Sequence, residues 1–278
     1  MKYKIAIVRL GHCQHIVDFK AIKVWKSKLF EITGISCVEH LLEGDVQDGF
    51  LDIKYSREEL ALFVSCPSDC DFVVGIMPYR FIDNFYMHRI SEKSAIISLY
   101  GIADILKTDN ISIEHFVIKQ IYELCAIKHL IKDLSSDDVY SVVHLDTRGC
   151  LFDMNGERSD IVYNTEQPII CDECKVKFRN RQVQQGIIEQ LEKELKKIKK
   201  PFILRAERWI KRYPLVAIFL SFTMSVIISV VANVICARWN IQGEASNNEQ
   251  VKIKRKSFEM SCISVFCKMW KMQTTTEY

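Results

Sequence analysis

This sequence of 278 residues contains little glycine and proline, and its net charge is small. It contains 10 Gly and 5 Pro, while 49% of its residues are hydrophobic and 26% are charged. These proportions exclude a collagenous, low-complexity or wholly disordered chain, and the length suffices for one ordinary domain or two small ones. The 38 basic and 35 acidic residues leave a formal net charge of +3, so the overall charge does not indicate a nucleic-acid partner.

The first residues do not have the pattern of a secretory signal peptide. The apolar stretch KIAIVRL at 4–10 is too short and is interrupted too soon. The sequence has 11 Cys, which would indicate a disulfide framework only in a short secreted protein. We therefore expect reduced thiols and a cytosolic location for most of the chain.

No charged residue occurs between Pro214 and Ala237. These 24 residues would form a helix about 36 Å long, against a hydrocarbon core of about 30 Å. Aromatic and basic residues flank the run on both sides, as Trp209 and Trp239 illustrate, which is typical of membrane interfaces. The run is predicted to be a transmembrane helix, and a buried core helix is the less favoured alternative.

Basic residues are denser before this run than after it. Residues 194–213 contain eight Lys or Arg, whereas residues 238–257 contain five, four of them between Lys252 and Lys256. The positive-inside rule therefore predicts a single-pass protein of the inner (plasma) membrane, with its N-terminal part in the cytoplasm and its tail outside.

The sequence is divided into four parts on this basis. We predict a cytosolic α/β domain at 1–176, a basic juxtamembrane helical linker at 177–213, the membrane helix at 214–237 and a short tail at 238–278. Helical periodicity at 182–200 fits either a coiled-coil seam or a helix packed on the domain.

Hydrophobic periodicity predicts that the first part has the α/β (α+β) class. Apolar, β-prone runs at 4–10, 70–78 and 94–100 are typical of strands, and a helix is expected within 16–32. A long amphipathic helix is predicted from Ile113 to Leu134, with Ser112 as its N-cap. The type of residues 50–65 is left open.

Four potential zinc ligands lie within 31 residues. His144, Cys150, Cys171 and Cys174 form the pattern H-x5-C-x20-C-x2-C. Two pairs of nitrogen or sulfur ligands separated by a loop can surround a tetrahedral zinc ion, and a Cys3His set leaves no open position, so it contributes to folding rather than to chemistry. Asp146 could replace His144 as a ligand. The alternative is that His144 and Cys150 are ordinary core residues and that only the C-x2-C pair is notable.

Other Cys and His residues are weaker candidates for a metal site. Cys66 with Cys70, and the cluster HCQH at 12–15, are more readily core or surface residues. His115 and His129 on the long helix are 14 residues apart, about 21 Å, so they cannot share a metal ion. We expect both to be ordinary histidines of the helix surface.

The order of strands, long helix and Cys-rich segment over about residues 70–176 resembles the archaemetzincins, zinc metalloproteases of the metzincin group. That family has a structural zinc site of the type C-x4-C-x-M-x17-C-x2-C. Cys150, Cys171 and Cys174 nearly fit its spacing, and His144 stands where its first Cys would be. The resemblance implies a metzincin-like mixed sheet with a long central helix.

The catalytic motif of the same family, H-E-x-x-H-x-x-G-x-x-H, is not retained. Of the expected residues on the long helix only Glu123 matches, because Tyr122 and Ala126 stand where the first two His would be. Tyr and Ala offer no imidazole, and a lone Glu has no metal-bound water to activate. The resemblance therefore implies a degenerate catalytic site with Glu123 as its relic.

Two classes of function follow. The first is a membrane-anchored, non-catalytic zinc protein whose cytosolic domain senses a ligand or protein partner and acts at the bilayer by self-association, as bacterial defence or stress effectors do. The alternative is a membrane-bound zinc metallopeptidase with displaced ligands. We do not expect the basic run at 193–212 to bind nucleic acid, because the simpler prediction is that this run faces anionic lipid headgroups.

Overall fold

The computed structural model describes residues 2–41, 45–46, 53–198 and 213–241. The chain divides into two units, Met1–Ala206 and Glu207–Tyr278. The predicted basic segment at 199–212 and the tail from residue 242 onward lie outside the described residues.

The first unit is built on a mixed five-stranded sheet and a small three-stranded sheet. The strands are β1 (Tyr3–Leu10), β2 (Phe30–Val38), β3 (Asp45–Val46), β4 (Ile53–Tyr55), β5 (Phe72–Met77), β6 (Arg80–Phe81), β7 (Met87–Ser91) and β8 (Ser94–Ser98). The large sheet has the order β2-β1-β5-β8-β7, and the small sheet has the order β3-β4-β6. The first four strands of the large sheet are parallel, and β7 pairs antiparallel with β8 at the edge.

Helices cover both faces of the large sheet, which confirms the predicted α/β class. Alternate residues of β1 point to two separate cores: Ile5 packs with Ile22 of one helix, and Val8 packs with Leu60 of another. The helices are α1 (Phe19–Lys23), α2 (Arg57–Ala61), α3 (Ile102–Thr108), α4 (Ile113–Leu130), α5 (Ile161–Glu166), α6 (Asp172–Asn180), α7 (Gln185–Leu195) and α8 (Pro214–Ile241), with short 3-10 helices at Asp137–Ser141 and Arg158–Asp160.

Helix α4 is the central helix that the sequence predicts, with Ser112 as its N-cap. It is buried on all sides rather than amphipathic, since every side chain from Phe116 to Ile127 is buried. It also ends at Leu130, four residues before the predicted end, because Lys132 adopts a left-handed conformation with φ of 71°.

The prediction of a helix within 16–32 is only partly right. Helix α1 has five residues, and Asp18 caps it by accepting hydrogen bonds from the backbone N–H groups of Lys20 and Ala21. Strand β2 begins at Phe30 and pairs with β1 along the whole length of β1. The chain is extended from Phe30 onward because it pairs with β1, and the local helical periodicity gives no indication of this pairing.

Helix α7 packs on the domain, which is one of the two alternatives left open for 182–200. Its residues Ile188, Leu191 and Leu195 belong to the main core. The carboxylate of Glu194, which is fully buried, accepts hydrogen bonds from the Lys28 backbone N–H at 2.8 Å and from the Tyr122 hydroxyl at 2.7 Å. The compact unit therefore continues beyond residue 176, where the sequence analysis ends the first domain.

Helix α8 contains the predicted membrane span. Its segment Ile218–Ile235 has a mean hydropathy of 2.3, and none of this segment is buried within the protein. By length and composition the helix can cross a bilayer. Thr223 and Ser225 return their hydroxyl hydrogen bonds to backbone carbonyls of the same helix, which lowers the cost of placing them in hydrocarbon.

Candidate metal centre and adjoining cleft

The segment between α4 and α6 brings the four predicted zinc ligands together. A tight turn precedes Cys150, since Gly149 has a φ of 73°, and isolated bridges join His144 to Asp153 and Cys150 to Ile169. These bridges return the chain to the end at which α6 starts. The bridge between Cys150 and Ile169 thus closes the loop of 20 residues that separates the second ligand from the third.

The second ligand pair lies at the start of α6. Cys171 is the N-cap of this helix, and Cys174 is in its first turn. One helical turn therefore brings both sulfurs to the same end of α6, as a C-x2-C zinc pair requires.

The ligand atoms of His144, Cys150, Cys171 and Cys174 all lie within 4.8 Å of one another. The Cys150 and Cys174 sulfurs are 3.9 Å apart, and the Cys171 sulfur lies 3.6 Å from His144 Nε2. A tetrahedral ion with Zn–S of about 2.3 Å and Zn–N of about 2.0 Å places its ligand atoms roughly 3.5–3.8 Å apart. The residues therefore fit a closed Cys3His zinc site.

Two oxygen atoms lie beside Nδ1 of His144. The Asp146 backbone carbonyl forms a hydrogen bond with Nδ1 at 3.1 Å, and Asp153 Oδ1 lies 3.0 Å from Nδ1 without a hydrogen bond, which leaves Nε2 facing the thiols. The other Asp153 oxygen accepts hydrogen bonds from the backbone N–H groups of Arg148 and Cys150, at 3.0 and 2.9 Å. An oxygen acceptor at Nδ1 fixes the ring tautomer of a histidine that binds zinc through Nε2.

Asp146, the predicted substitute for His144, is not in the ligand set. Its carboxylate pairs with the Arg148 guanidinium, and it approaches His144 only at Nδ1, through its backbone carbonyl at 3.1 Å and through Oδ1 at 3.7 Å. His144 is therefore the fourth candidate ligand.

Cys150 and Cys174 share a proton. The hydrogen bond between the two sulfurs, together with the backbone N–H groups of Phe152 and Cys171, lowers the pKa of Cys150 against the effect of burial. The same hydrogen bond and burial raise the pKa of Cys174. A zinc ion would take the place of the proton that these two sulfurs share.

Glu123 lies next to the zinc segment, at a cleft of about 210 Å³. The cleft is bounded by edge strand β7, by residues 134–143 and by Asp153 and Met154. Glu123 is only 3% exposed, and its two oxygens lie 3.8 Å from the Arg89 guanidinium and 3.7 Å from the Lys119 ammonium. Burial raises the pKa of Glu123, and the two cations oppose this effect.

Lys119 and Glu123 are one helical turn apart, at i and i+4. In a zinc-binding H-E-x-x-H helix two His occupy this spacing on one face. Here that spacing holds an ammonium and a carboxylate, and the ammonium is fully buried. Tyr122, which the resemblance aligned with the first His, instead accepts a hydrogen bond from Trp25 Nε1 at 2.9 Å and donates to Glu194.

The remaining candidates do not gather at Glu123. His115 packs against the Trp25 ring and His129 against the Tyr3 ring, and both are half-buried rather than on the helix surface. The Cys13 thiol contacts the Ile76 carbonyl oxygen at 3.8 Å. Within residues 2–41, 45–46, 53–198 and 213–241, the Cys3His set is the one group arranged to hold a metal ion.

Sequence reasoning missed Lys119 and Arg89. The signal for Lys119 was present, because a Lys four residues before a Glu inside an otherwise apolar helix indicates a buried ion pair. Arg89 carried no signal, since its role depends on β7 being the edge strand beside α4.

No family model matches this chain, and no curated protein matches it. Among solved structures it is similar to an archaemetzincin from Methanopyrus kandleri, with 12% identity, a TM-score of 0.44 and coverage of 66% of this chain and 97% of that one. It is also similar to an archaemetzincin from Archaeoglobus fulgidus, described as complexed with malonate, with 12% identity, a TM-score of 0.41 and coverage of 63% and 99%.

Proposed function

We propose that this chain is a membrane-anchored, non-hydrolytic zinc protein whose first unit binds a ligand or protein partner at the cleft beside Glu123. The observation that carries the proposal is the Lys119–Glu123 pair, in which a buried ammonium lies 3.7 Å from the carboxylate. A carboxylate that serves as general base in metal-assisted hydrolysis needs a metal-bound water, and a cation without an open coordination position supplies none.

The zinc site has a structural role in this proposal. It is closed by four protein ligands, and Cys150, Cys174 and His144 are each less than 10% exposed. Its ligands and Asp153 tie the loop of the zinc segment to α6 and to the wall of the cleft. Zinc thus contributes folding free energy and shapes the cleft.

The membrane helix supplies the location. We place α8 in the inner (plasma) membrane as a single pass with the first unit in the cytoplasm, on the strength of its hydropathy and of the basic residues that precede it. The partners proposed are the lipid bilayer, a second copy of the chain or another protein, and not nucleic acid. A role in bacterial stress or defence stays a prediction.

The second candidate is a metallopeptidase with displaced ligands. It is favoured by one observation, that His88 and Glu123 line the same cleft. Against it, His88 Nε2 lies 2.9 Å from Asp83 and the Glu123 oxygens face two cations.

Hydrolysis assays separate the two candidates. We expect the purified full chain, in detergent and loaded with zinc, to release no peptides from casein, and Glu123→Gln to behave identically, because the reaction lacks a metal-bound water. Mass spectrometry of the digest measures this, with a known zinc protease as positive control. Cleavage that Glu123→Gln abolishes, while Glu92→Gln at an exposed position retains it, would establish the peptidase instead.

A further inference from the structure

The cleft beside Glu123 is small, and its walls are partly polar and partly apolar. Its volume of about 210 Å³ is below the roughly 300–1,000 Å³ of sites for drug-sized ligands, so it suits a group of a few carbons. The apolar lining consists of Phe85, Met87, Leu134, Val139, Val143 and Met154.

Two of the basic residues at this cleft already have an anionic partner. Arg57 Nε lies 2.7 Å from Glu58, and His88 Nε2 lies 2.9 Å from Asp83. Both pairs are partly or largely solvated, so they contribute little field inside the cleft.

Arg89 differs from the other basic residues of the cleft in having no close anionic partner. Lys119 and Glu123 balance each other in charge, with Nζ and Oε2 3.7 Å apart and both buried without a hydrogen bond. Arg89 lines the cleft with a side chain only 21% exposed, and its nearest carboxylate oxygen, on the same Glu123, is 3.8 Å away, beyond hydrogen-bond distance. Within the described part of the chain its guanidinium has no hydrogen-bond acceptor.

The other acidic residues of the cleft do not hydrogen-bond to Arg89. Asp137 is exposed to solvent. Asp153 is buried, its Oδ2 accepts two backbone hydrogen bonds, and its Oδ1 lies 3.0 Å from His144 Nδ1. Arg89 therefore presents a half-buried fork of N–H donors that lacks an acceptor to a small space lined in part by apolar side chains.

We propose that this cleft binds a carboxylate carried on a short apolar body, with the carboxylate against the Arg89 guanidinium. A planar monoanion can accept two parallel hydrogen bonds from the one guanidinium that lacks an acceptor, whereas a phosphate dianion would lack a second such cation. Two sources share this chemistry, a free short-chain carboxylic acid and the C-terminus of a peptide that ends in an apolar residue. The inference rests on the proposed function, because the ligand must leave the cleft uncleaved.

Calorimetric titration of the full chain in neutral detergent tests the proposal. The probes are hexanoate against hexanamide, and acetyl-Ala-Leu with a free C-terminus against its C-terminal amide. We expect each acid to bind about tenfold or more tightly than its amide, because charge-assisted hydrogen bonds to Arg89 are lost. Binding of hexanoate alone would assign the site to free acids, and binding of the peptide acid would assign it to C-termini.

Variants locate the contact. Arg89→Gln should abolish the preference for the acid, and Arg89→Lys should retain part of it. The matched control Arg179→Gln, at an exposed position of α6 that does not line the cleft, should stay within about twofold of the wild type. If Arg89→Gln fails to fold, as judged by its zinc content and circular dichroism, the acid and amide comparison on the wild type still decides.

The result that overturns the proposal is equal binding of acids and amides, or no binding of any probe at millimolar concentration. Mass spectrometry of the recovered peptide distinguishes this from failure of the proposed function. Cleaved peptide would contradict the non-hydrolytic role, whereas an intact peptide that binds equally well as acid and as amide would remove only the carboxylate site.

Discussion

Cys174→Ser is expected to release the zinc ion and to prevent stable folding of the first unit. Cys174 is 1% exposed and belongs to the ligand set, and Ser cannot replace a thiolate there. Structural zinc contributes about 10–16 kcal/mol in zinc-finger peptides, comparable to the roughly 5–15 kcal/mol that stabilises a whole domain. Metal analysis by mass spectrometry and thermal unfolding followed by circular dichroism measure the two effects.

The matched control for this substitution is Cys66→Ser. Cys66 is half-buried at the edge of the second core, and its thiol donates to the backbone carbonyls of Pro67 and Cys70, which a hydroxyl can also do, so this variant should keep its zinc and a near-native Tm. A Cys174→Ser protein with the Tm of the wild type would show that the four residues are ordinary core and that zinc is not part of the fold.

Two arginines in α8 are expected to release the chain from membranes. Ser225→Arg combined with Ile228→Arg places two charges in the middle of the apolar segment, where each costs about 2.5–3.5 kcal/mol on insertion scales. The measurement is the fraction of protein that stays with membranes after alkaline carbonate extraction. That fraction should fall from nearly all to a minority.

Ser225→Ala combined with Ile228→Leu is the control, because it keeps the segment apolar. It should remain with the membrane fraction. Full retention of the double arginine variant would mean that α8 is not the anchor and would remove the location from the proposed function.

The four candidate zinc ligands could be predicted from the sequence because their signal is local. The C-x2-C spacing of Cys171 and Cys174 indicated one pair, and zinc chemistry then required a second pair, which His144 and Cys150 supply. The position of Asp153 beside His144 has no such signal, since it depends on the turn at Gly149 and on two backbone N–H groups that donate to one oxygen.

The sheet was predicted where its strands are apolar runs and was missed where pairing decides. Strands β1, β5 and β8 are largely buried on both faces and consist mainly of apolar residues. These apolar runs identified them as strands in the sequence. Strand β2 is half-buried and β7 is an edge strand of mixed polarity. Their extended conformation depends on pairing with β1 and β8, which their own residue patterns do not indicate.

The cleft was the least predictable feature. Glu123 was singled out from a motif, but its environment is set by Lys119 on the same helix and by Arg89 on a strand that the sequence did not show. The structure thus changes the reading of Glu123 from a solitary relic to a member of a buried ionic group, and this group is the basis of the proposed function.

The number of zinc ions per chain tests the central claim most directly. Full-length protein purified with zinc and then dialysed should contain one zinc per chain by elemental mass spectrometry, and Glu123→Gln should also contain one, because the Cys3His set alone holds the metal. Two zinc ions per chain, one of which is lost in Glu123→Gln, would contradict the account and would place a second, catalytic metal at the cleft.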